Sequence, residues 1–170
     1  HLAYEDAAIR VLRVDVPAHD TTLLHRHDPD YFWIGLGAAT VVNARLGSLD
    51  ATITSANLAV HFTVGAFSHV ARNPGATAFR NITVELLGPQ ANARNLCESA
   101  IADQLHSCPA SSAERTRRFP GGGEYPAFET EQLRVSLVTL QARTSMRASA
   151  EVGRPWIIAL DSADAGSTLQ

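Results

Sequence analysis

The chain has 170 residues and a mass of 18.2 kDa, which corresponds to one domain or to one domain with a partial second unit. Hydrophobic residues make up 45% and charged residues 18%, so the chain can bury a core and is not of the disordered class. The net charge of -3 gives no global basic field, which argues against a nucleic-acid partner. No apolar run approaches the roughly 18 residues of a membrane-spanning helix, so no membrane partner is expected.

The first ninety residues are predicted to be all-β, because strand-like runs alternate with turn signals every ~8–12 residues. These runs cover residues 9–16, 31–36, 40–44, 51–54, 58–63 and 80–87. Such spacing is typical of a sandwich or a barrel.

The middle of the chain breaks this pattern. Residues 98–106 carry Ala100, Ile101 and Leu105 at helical spacing and are predicted to form a short helix. Residues 109–123 contain Ala-Ser-Ser, Arg-Arg and Pro-Gly-Gly-Gly, and we expect a flexible linker there.

Two cysteines flank the predicted helix. The even count indicates one disulfide between Cys97 and Cys108, with free thiols as the alternative. A disulfide and a first residue, His1, that is not methionine together favour an exported protein, periplasmic or secreted.

The C-terminal part returns to strand character and contains a weak internal repeat. At a constant offset of 124, residues 5–11 match residues 129–135, and residues 32–36 match residues 156–160. The second copy has no equivalent of residues 51–87. We therefore divide the chain into a β unit at 1–90, an insert at 91–127 and half of a degenerate repeat at 128–170. The strands of that half should pack on the first unit or pair with another chain, which leaves a homodimer open.

Three histidines form the strongest candidate site. His25 and His27 stand two residues apart, so on a strand they point to the same face. His69 follows a turn that contains Gly65. Three neutral imidazoles suit a divalent transition metal, and ligand type alone does not choose among Fe, Mn, Zn, Ni and Cu.

The stretch His25-x-His27 before an aromatic strand, followed by Gly65 and His69, resembles the two sequence motifs of the cupin superfamily. The resemblance implies an antiparallel jelly-roll β-barrel with these three histidines as metal ligands. It covers residues 5–87 well and residues 128–162 weakly, which implies a bicupin-like chain with a truncated second repeat.

The sequence departs from the family pattern at the carboxylate ligand. Tyr31 stands where the family has a glutamate, with Asp30 one position earlier, and both are candidates for the metal or its pocket. Adjacent strand residues face opposite ways, so both cannot point inward without a bulge. In the second copy, Ser149 and Glu151 fall on the positions of the first two histidines, so that half should hold no metal.

Further pocket candidates come from the predicted strands. Glu85 alternates with Val84 and Leu86, and it becomes an acid or base near the metal if its face lines the barrel. His61 alternates with apolar residues, and a hydrogen-bonded histidine in the core is the simpler expectation. The aromatic residues expected to line the barrel interior are Phe32, Trp33, Phe62 and Phe67.

Two functions remain open from the sequence. The resemblance implies a small-molecule enzyme of dioxygenase, isomerase or lyase type that uses a three-histidine metal site. The alternative is a non-catalytic ligand-binding or structural cupin with a vestigial pocket, which the missing glutamate and the degenerate repeat favour. Both predict a small-molecule ligand, and the metal content of the protein separates them.

Overall fold

The computed structural model describes residues 1–90, 94–95, 105–108, 116–130, 132–146 and 157–158. These residues form strands, turns and loops, with no helix among them and so none suited to crossing a membrane. The strands in chain order are β1 (Leu2–Glu5), β2 (Ile9–Val16), β3 (His25–His27), β4 (Asp30–Gly35), β5 (Ala39–Arg45), β6 (Ala51–Ser55), β7 (Val60–Thr63), β8 (Phe67–Arg72), β9 (Phe79–Leu86), β10 (Arg94–Asn95), β11 (Leu105–Cys108), β12 (Arg117–Phe119), β13 (Gly122–Glu129) and β14 (Arg134–Leu140).

Strands β2 to β9 pair in a nested order. β5 pairs with β6, β4 with β7, β3 with β8 and β2 with β9, all antiparallel. This is one long hairpin, rolled so that β4 also meets β9 and β5 also meets β8. The result is a six-stranded sheet in the order β1-β2-β9-β4-β7-β11 facing a four-stranded sheet in the order β3-β8-β5-β6. Eight strands in two sheets with this pairing make a jelly roll, which confirms the predicted fold class.

Two hydrophobic cores lie on opposite faces of the six-stranded sheet. The inner core fills the space between the two sheets and consists of Val16, Tyr31, Trp33, Val41, Ala71 and Phe79. The outer core covers the other face of the six-stranded sheet and consists of Ile9, Val11, Phe32, Ile34, Val60, Phe62, Val84, Leu86, Ala127 and Phe128. Because both faces of the sheet are buried, successive residues of β4 contribute to the two cores in turn, with Tyr31 and Trp33 in the inner core and Phe32 and Ile34 in the outer core.

The C-terminal strands cover the outer core. β13 pairs with β14 along one edge and with β12 and β10 along the other. Phe128 of β13 is 2% exposed, and its ring stacks on Phe62 at a centroid distance of 4.9 Å. The expectation that these strands pack on the first unit is therefore confirmed for the described residues. The placement of Phe32 and Phe62 in the barrel interior is wrong, because both belong to the outer core.

Two sequence expectations for the insert are corrected only at the residues that are described. Of the predicted helix at 98–106, residues 105–106 are described, and they belong to the strand Leu105–Cys108, which pairs with the edge of β7. Residues 98–104 lie outside the described residues, and the helix stays a prediction there. The predicted linker at 109–123 ends in a hairpin between β12 and β13, and Gly121 supplies the positive φ, 81°, that its turn needs. Cys97 lies outside the described residues, so the disulfide stays a prediction.

Two turns at matching positions of the predicted repeat share the same hydrogen-bond pattern. Oδ1 of Asp6 accepts hydrogen bonds from the amides two and three residues later, and the Asp6 amide donates to the carbonyl of Ile9. Oγ1 of Thr130 does the same, and the Thr130 amide donates to the carbonyl of Leu133. An ion pair flanks each turn, Glu5–Arg10 in the first and Glu129–Arg134 in the second. Ser149 and Glu151 lie outside the described residues.

Candidate metal centre

The three histidines meet on two neighbouring strands of the four-stranded sheet. His25 of β3 stands directly opposite His69 of β8, and His27 lies two residues along on the same face. The ring centroids are 4.4 Å apart for His25 and His69, 4.9 Å for His25 and His27, and 5.2 Å for His27 and His69. One nitrogen from each ring lies within 4.8 Å of the other two, a spacing that could hold a metal ion. His27 and His69 are buried, and His25 is the most accessible of the three.

Each imidazole is held through its Nδ1 atom. Nδ1 of His25 lies 2.8 Å from the carbonyl oxygen of Leu23, and Nδ1 of His27 lies 2.8 Å from Oε1 of Glu85. Nδ1 of His69 lies 2.6 Å from Oδ1 of Asn43. Because all three partners are oxygen acceptors, the tautomer that fits each site has its proton on Nδ1 and its lone pair on Nε2.

The Nε2 atom of His69 is the clearest sign of a ligand position. It is buried and has no hydrogen-bond partner among the described residues. Burial lowers the pKa of His69 to about 3, with nearby His25, His27 and Arg45 adding to the effect, so this ring is neutral near pH 7. A buried nitrogen lone pair without a donor is unfavourable, and a metal ion is one way to satisfy it.

Glu85 anchors His27 from a different sheet. Its Oε1 accepts from Nδ1 of His27, and its Oε2 accepts from Nη1 of Arg10 at 2.9 Å. Arg10 in turn pairs with Glu5 on the neighbouring strand. The hydrogen bond from His27 holds the pKa of Glu85 below its usual range, and that from Arg10 adds to the effect despite burial. With both oxygens engaged, Glu85 is a positioning carboxylate rather than a metal ligand. Its face does line the barrel, as the sequence left open.

Tyr31 forms an aromatic wall beside the histidines. Its ring stacks on that of His27 at a centroid distance of 4.3 Å. Burial raises the pKa of Tyr31 to about 12, so the phenol is protonated near pH 7. Phe67 stands opposite His27 on β8 and lies 5.2 Å from the ring of His69. The guanidinium of Arg45 lies 3.8 Å above the centroid of Phe67.

The remaining sequence candidates lie away from the cluster. Oδ1 of Asp30 accepts from the amide of Gly65, and a Cβ on Gly65 would stand 2.2 Å from the carbonyl oxygen of Pro29. Asp30 therefore ties the start of β4 to the loop at Gly65 and is not part of the group of residues that could hold a metal. His61 is 2% exposed, stacks on Trp33 at 3.8 Å and bonds Oγ of Ser55 through Nε2. It belongs to the barrel core, as the simpler expectation held.

Three residues of the site were not found from the sequence: Asn43, Arg10 and Arg45. The two arginines could have been found only from the strand register, because Arg10 of β2 stands opposite Glu85 and Arg45 of β5 stands opposite His69. Register between distant strands is not visible in the local pattern of either strand.

The donor set suits a first-row transition metal. Neutral imidazoles bind Fe, Mn, Zn, Ni and Cu, and three of them leave coordination positions for other ligands. The identity of the metal is not fixed by the ligand type.

No protein-family model matches the sequence, and neither does any curated protein. Solved structures with a similar backbone include a cupin domain from Bordetella pertussis, at 17% identity and a TM-score of 0.48, covering 51% of this chain and 88% of that one. An RmlC-like cupin family protein with a double-stranded β-helix fold from Methanocaldococcus jannaschii has 7% identity and a TM-score of 0.44, covering 50% and 75%. A salicylate 1,2-dioxygenase from Pseudaminobacter salicylatoxidans has 15% identity and a TM-score of 0.38, covering 46% and 22%.

The fold assignment rests on the strand pairing within this chain. Eight strands in nested antiparallel pairs form the jelly roll, and the histidines that match the two cupin motifs meet on its inner face. By its fold, the chain is an antiparallel jelly-roll protein with a three-histidine cluster that could bind a metal.

Proposed function

We propose that this protein binds one divalent transition metal through Nε2 of His25, His27 and His69 and acts on a small molecule there. The observation that carries the proposal is the set of three Nδ1 anchors, one for each ring. Metal-binding histidines are typically held in this way by carboxylate or carbonyl oxygens, which fix the tautomer and aim Nε2 at the ion. A bound metal supplies a Lewis acid with open coordination positions.

The vestigial-pocket alternative accounts less well for this arrangement. A pocket without an ion gains nothing from three imidazoles with centroids 4.4 to 5.2 Å apart. It also leaves Nε2 of His69 buried without a partner among the described residues. The neutral phenol of Tyr31 and the ring of Phe67 give the cluster an apolar border, which favours a small-molecule site over a purely structural ion.

Elemental analysis by mass spectrometry tests the proposal on protein purified without added metal and without a His-tag. We expect about one equivalent of a transition metal in the parent and none in His25→Ala/His69→Ala. His19→Asn is the matched control, because His19 is an exposed histidine in a turn at φ 59°, a conformation that asparagine tolerates. It should retain the parental metal content.

Two results would contradict the metal site: no metal in the parent even after reconstitution, or equal metal in the parent and the double variant. The metal that is found directs the next assay. A redox-active ion calls for oxygen-uptake measurements, and zinc calls for hydrolase, lyase and isomerase screens.

A further inference from the structure

Asn43 is a buried amide that bonds one ring of the histidine cluster. It lies on β5, and its Oδ1 accepts from Nδ1 of His69 at 2.6 Å. This is the shortest of the three Nδ1 contacts, since those of His25 and His27 are 2.8 Å long. The amide therefore fixes the rotation of the His69 ring.

The strand register leaves room for this contact. Asn43 stands directly opposite Ala71 of β8, and His69 lies two residues from Ala71 on the same face. Diagonal neighbours of this kind are within reach of aromatic side chains. Because the side chain of Ala71 is small, the amide meets the His69 ring across the face of the sheet.

The three groups that hold the histidines differ in charge. His27 is held by the carboxylate of Glu85, His25 by a main-chain carbonyl and His69 by a neutral amide. A carboxylate on the far nitrogen makes an imidazole a stronger metal ligand than a neutral acceptor does, because it raises the basicity of the ring. His69 is therefore a weaker donor to an ion than His27.

We propose that Asn43 is a positioning residue that sets how tightly the histidine cluster holds its metal. The amide aims Nε2 of His69 at the ion, but it strengthens this ligand less than a carboxylate would. Such a role rests on the proposed metal-binding function. Metal affinity should then follow the charge at position 43, whereas a residue that only packs between the sheets would make every replacement harmful.

Two replacements of Asn43 test this role through the affinity for Co(II), measured by competition with a chelator of known affinity and followed by cobalt absorption. Asn43→Leu keeps the approximate shape and removes the acceptor, and Asn43→Asp keeps the acceptor and adds a negative charge. The matched controls are Asn81→Leu and Asn81→Asp. Asn81 is a buried amide of β9 whose Oδ1 accepts from Thr83, and it stands about 13 Å along the strand from Glu85.

We expect Asn43→Leu to bind cobalt about 10- to 100-fold more weakly than Asn81→Leu, the usual effect of losing a group that positions a metal-binding histidine. Asn43→Asp should bind cobalt about tenfold more tightly than the parent, because a charge-assisted hydrogen bond is roughly twice as strong as a neutral one. Asn81→Asp should stay within about threefold of the parent, since its charge is distant.

Unfolding in urea without metal separates this effect from a change in the fold. Both Asn43 variants should be less stable than the parent, because Asn43→Leu leaves the Nδ1 proton of His69 unpaired and Asn43→Asp buries a charge. A gain in metal affinity in Asn43→Asp cannot then come from a more stable protein.

The outcomes distinguish this role from the metal-binding function. If the parent takes up no cobalt, the metal-binding function fails and the role of Asn43 fails with it. If the parent loads cobalt but Asn43→Leu binds it as tightly as Asn81→Leu does, only the role of Asn43 is overturned. The same conclusion follows if Asn43→Asp binds cobalt no more tightly than the parent. If one of the two Asn43 variants does not fold, the other decides alone.

Discussion

Replacing Glu85 by glutamine tests whether this carboxylate sets the metal affinity of His27. Glu85 is 4% exposed and accepts from His27 on one side and from Arg10 on the other. Glutamine keeps the shape and one oxygen acceptor, but it removes the negative charge and places an NH₂ group in contact with one of two donors. Nε2 of His27 then becomes a weaker ligand, since a carboxylate on the far nitrogen raises the basicity of the ring.

The expected magnitude follows from this single contact. Loss of a partner that positions a metal-binding histidine typically lowers metal affinity by about 10- to 100-fold, or roughly 1.4 to 2.7 kcal/mol. The effect should lie at the low end if the glutamine oxygen turns toward His27, and at the high end if it turns toward Arg10. Competition with a chelator of known affinity, followed by cobalt absorption, measures it.

The matched control is Glu5→Gln. Glu5 pairs with the same arginine, but its side chain is 40% exposed and its carboxylate bonds Arg10 rather than a histidine. This variant should bind metal within about twofold of the parent, because exposed ion pairs contribute little. A Glu85→Gln protein that is folded and binds metal as tightly as Glu5→Gln would refute the role assigned to Glu85.

Two predictions concern stability in urea. Burial lowers the pKa of His61 from 6.5 to about 4, so the unfolded chain takes up a proton that the folded chain refuses, and stability falls as the pH drops from 6.5 toward 4. Between pH 7.5 and pH 5, protonation of this histidine in the unfolded chain should lower the free energy of unfolding by about 2 kcal/mol. The His61→Gln variant should lose about 2 kcal/mol less than the parent over the same interval, and equal losses in the two proteins would contradict the prediction. Phe128→Ala should lower the free energy of unfolding by about 3–5 kcal/mol, because the ring is 2% exposed and packs on Phe62, whereas Leu49→Ala, at a residue 94% exposed, should change it by less than about 0.5 kcal/mol. A loss below about 1 kcal/mol in Phe128→Ala would show that β13 does not cover the outer core.

The sequence was sufficient for features that depend on local spacing. Each strand-like run of the first ninety residues contains a strand, because alternation of side chains is a property of one segment. The same holds for His25 and His27, since two residues of separation on a strand place both rings on one face. Nothing local relates His69 to β3, so its place beside the other two histidines was predicted from its position after the Gly65 turn and from its likeness to a family motif.

Facing direction could not be read from alternation. In β9, Asn81, Thr83 and Glu85 alternate with Ile82, Val84 and Leu86, and the usual assumption puts the apolar set inside the barrel. The structure does the reverse, with Val84 and Leu86 in the outer core and Glu85 at the histidines. The reason is that β13 buries the outside of this sheet, so the interior is free to carry polar groups. A pattern within one strand contains no information about a covering layer supplied forty residues later.

Tyr31 stands where the motif that this sequence resembles has a glutamate, so β4 offers the cluster no carboxylate ligand at this position. Tyr31 stands directly opposite Glu85 of β9, and the carboxylate beside the cluster comes from that neighbouring strand. The Glu85 carboxylate accepts from Nδ1 of His27 and from Nη1 of Arg10, so its negative charge positions these two side chains and does not neutralise a bound ion directly. A divalent ion held by three neutral rings would keep both of its charges, whereas a fourth, carboxylate ligand would cancel one.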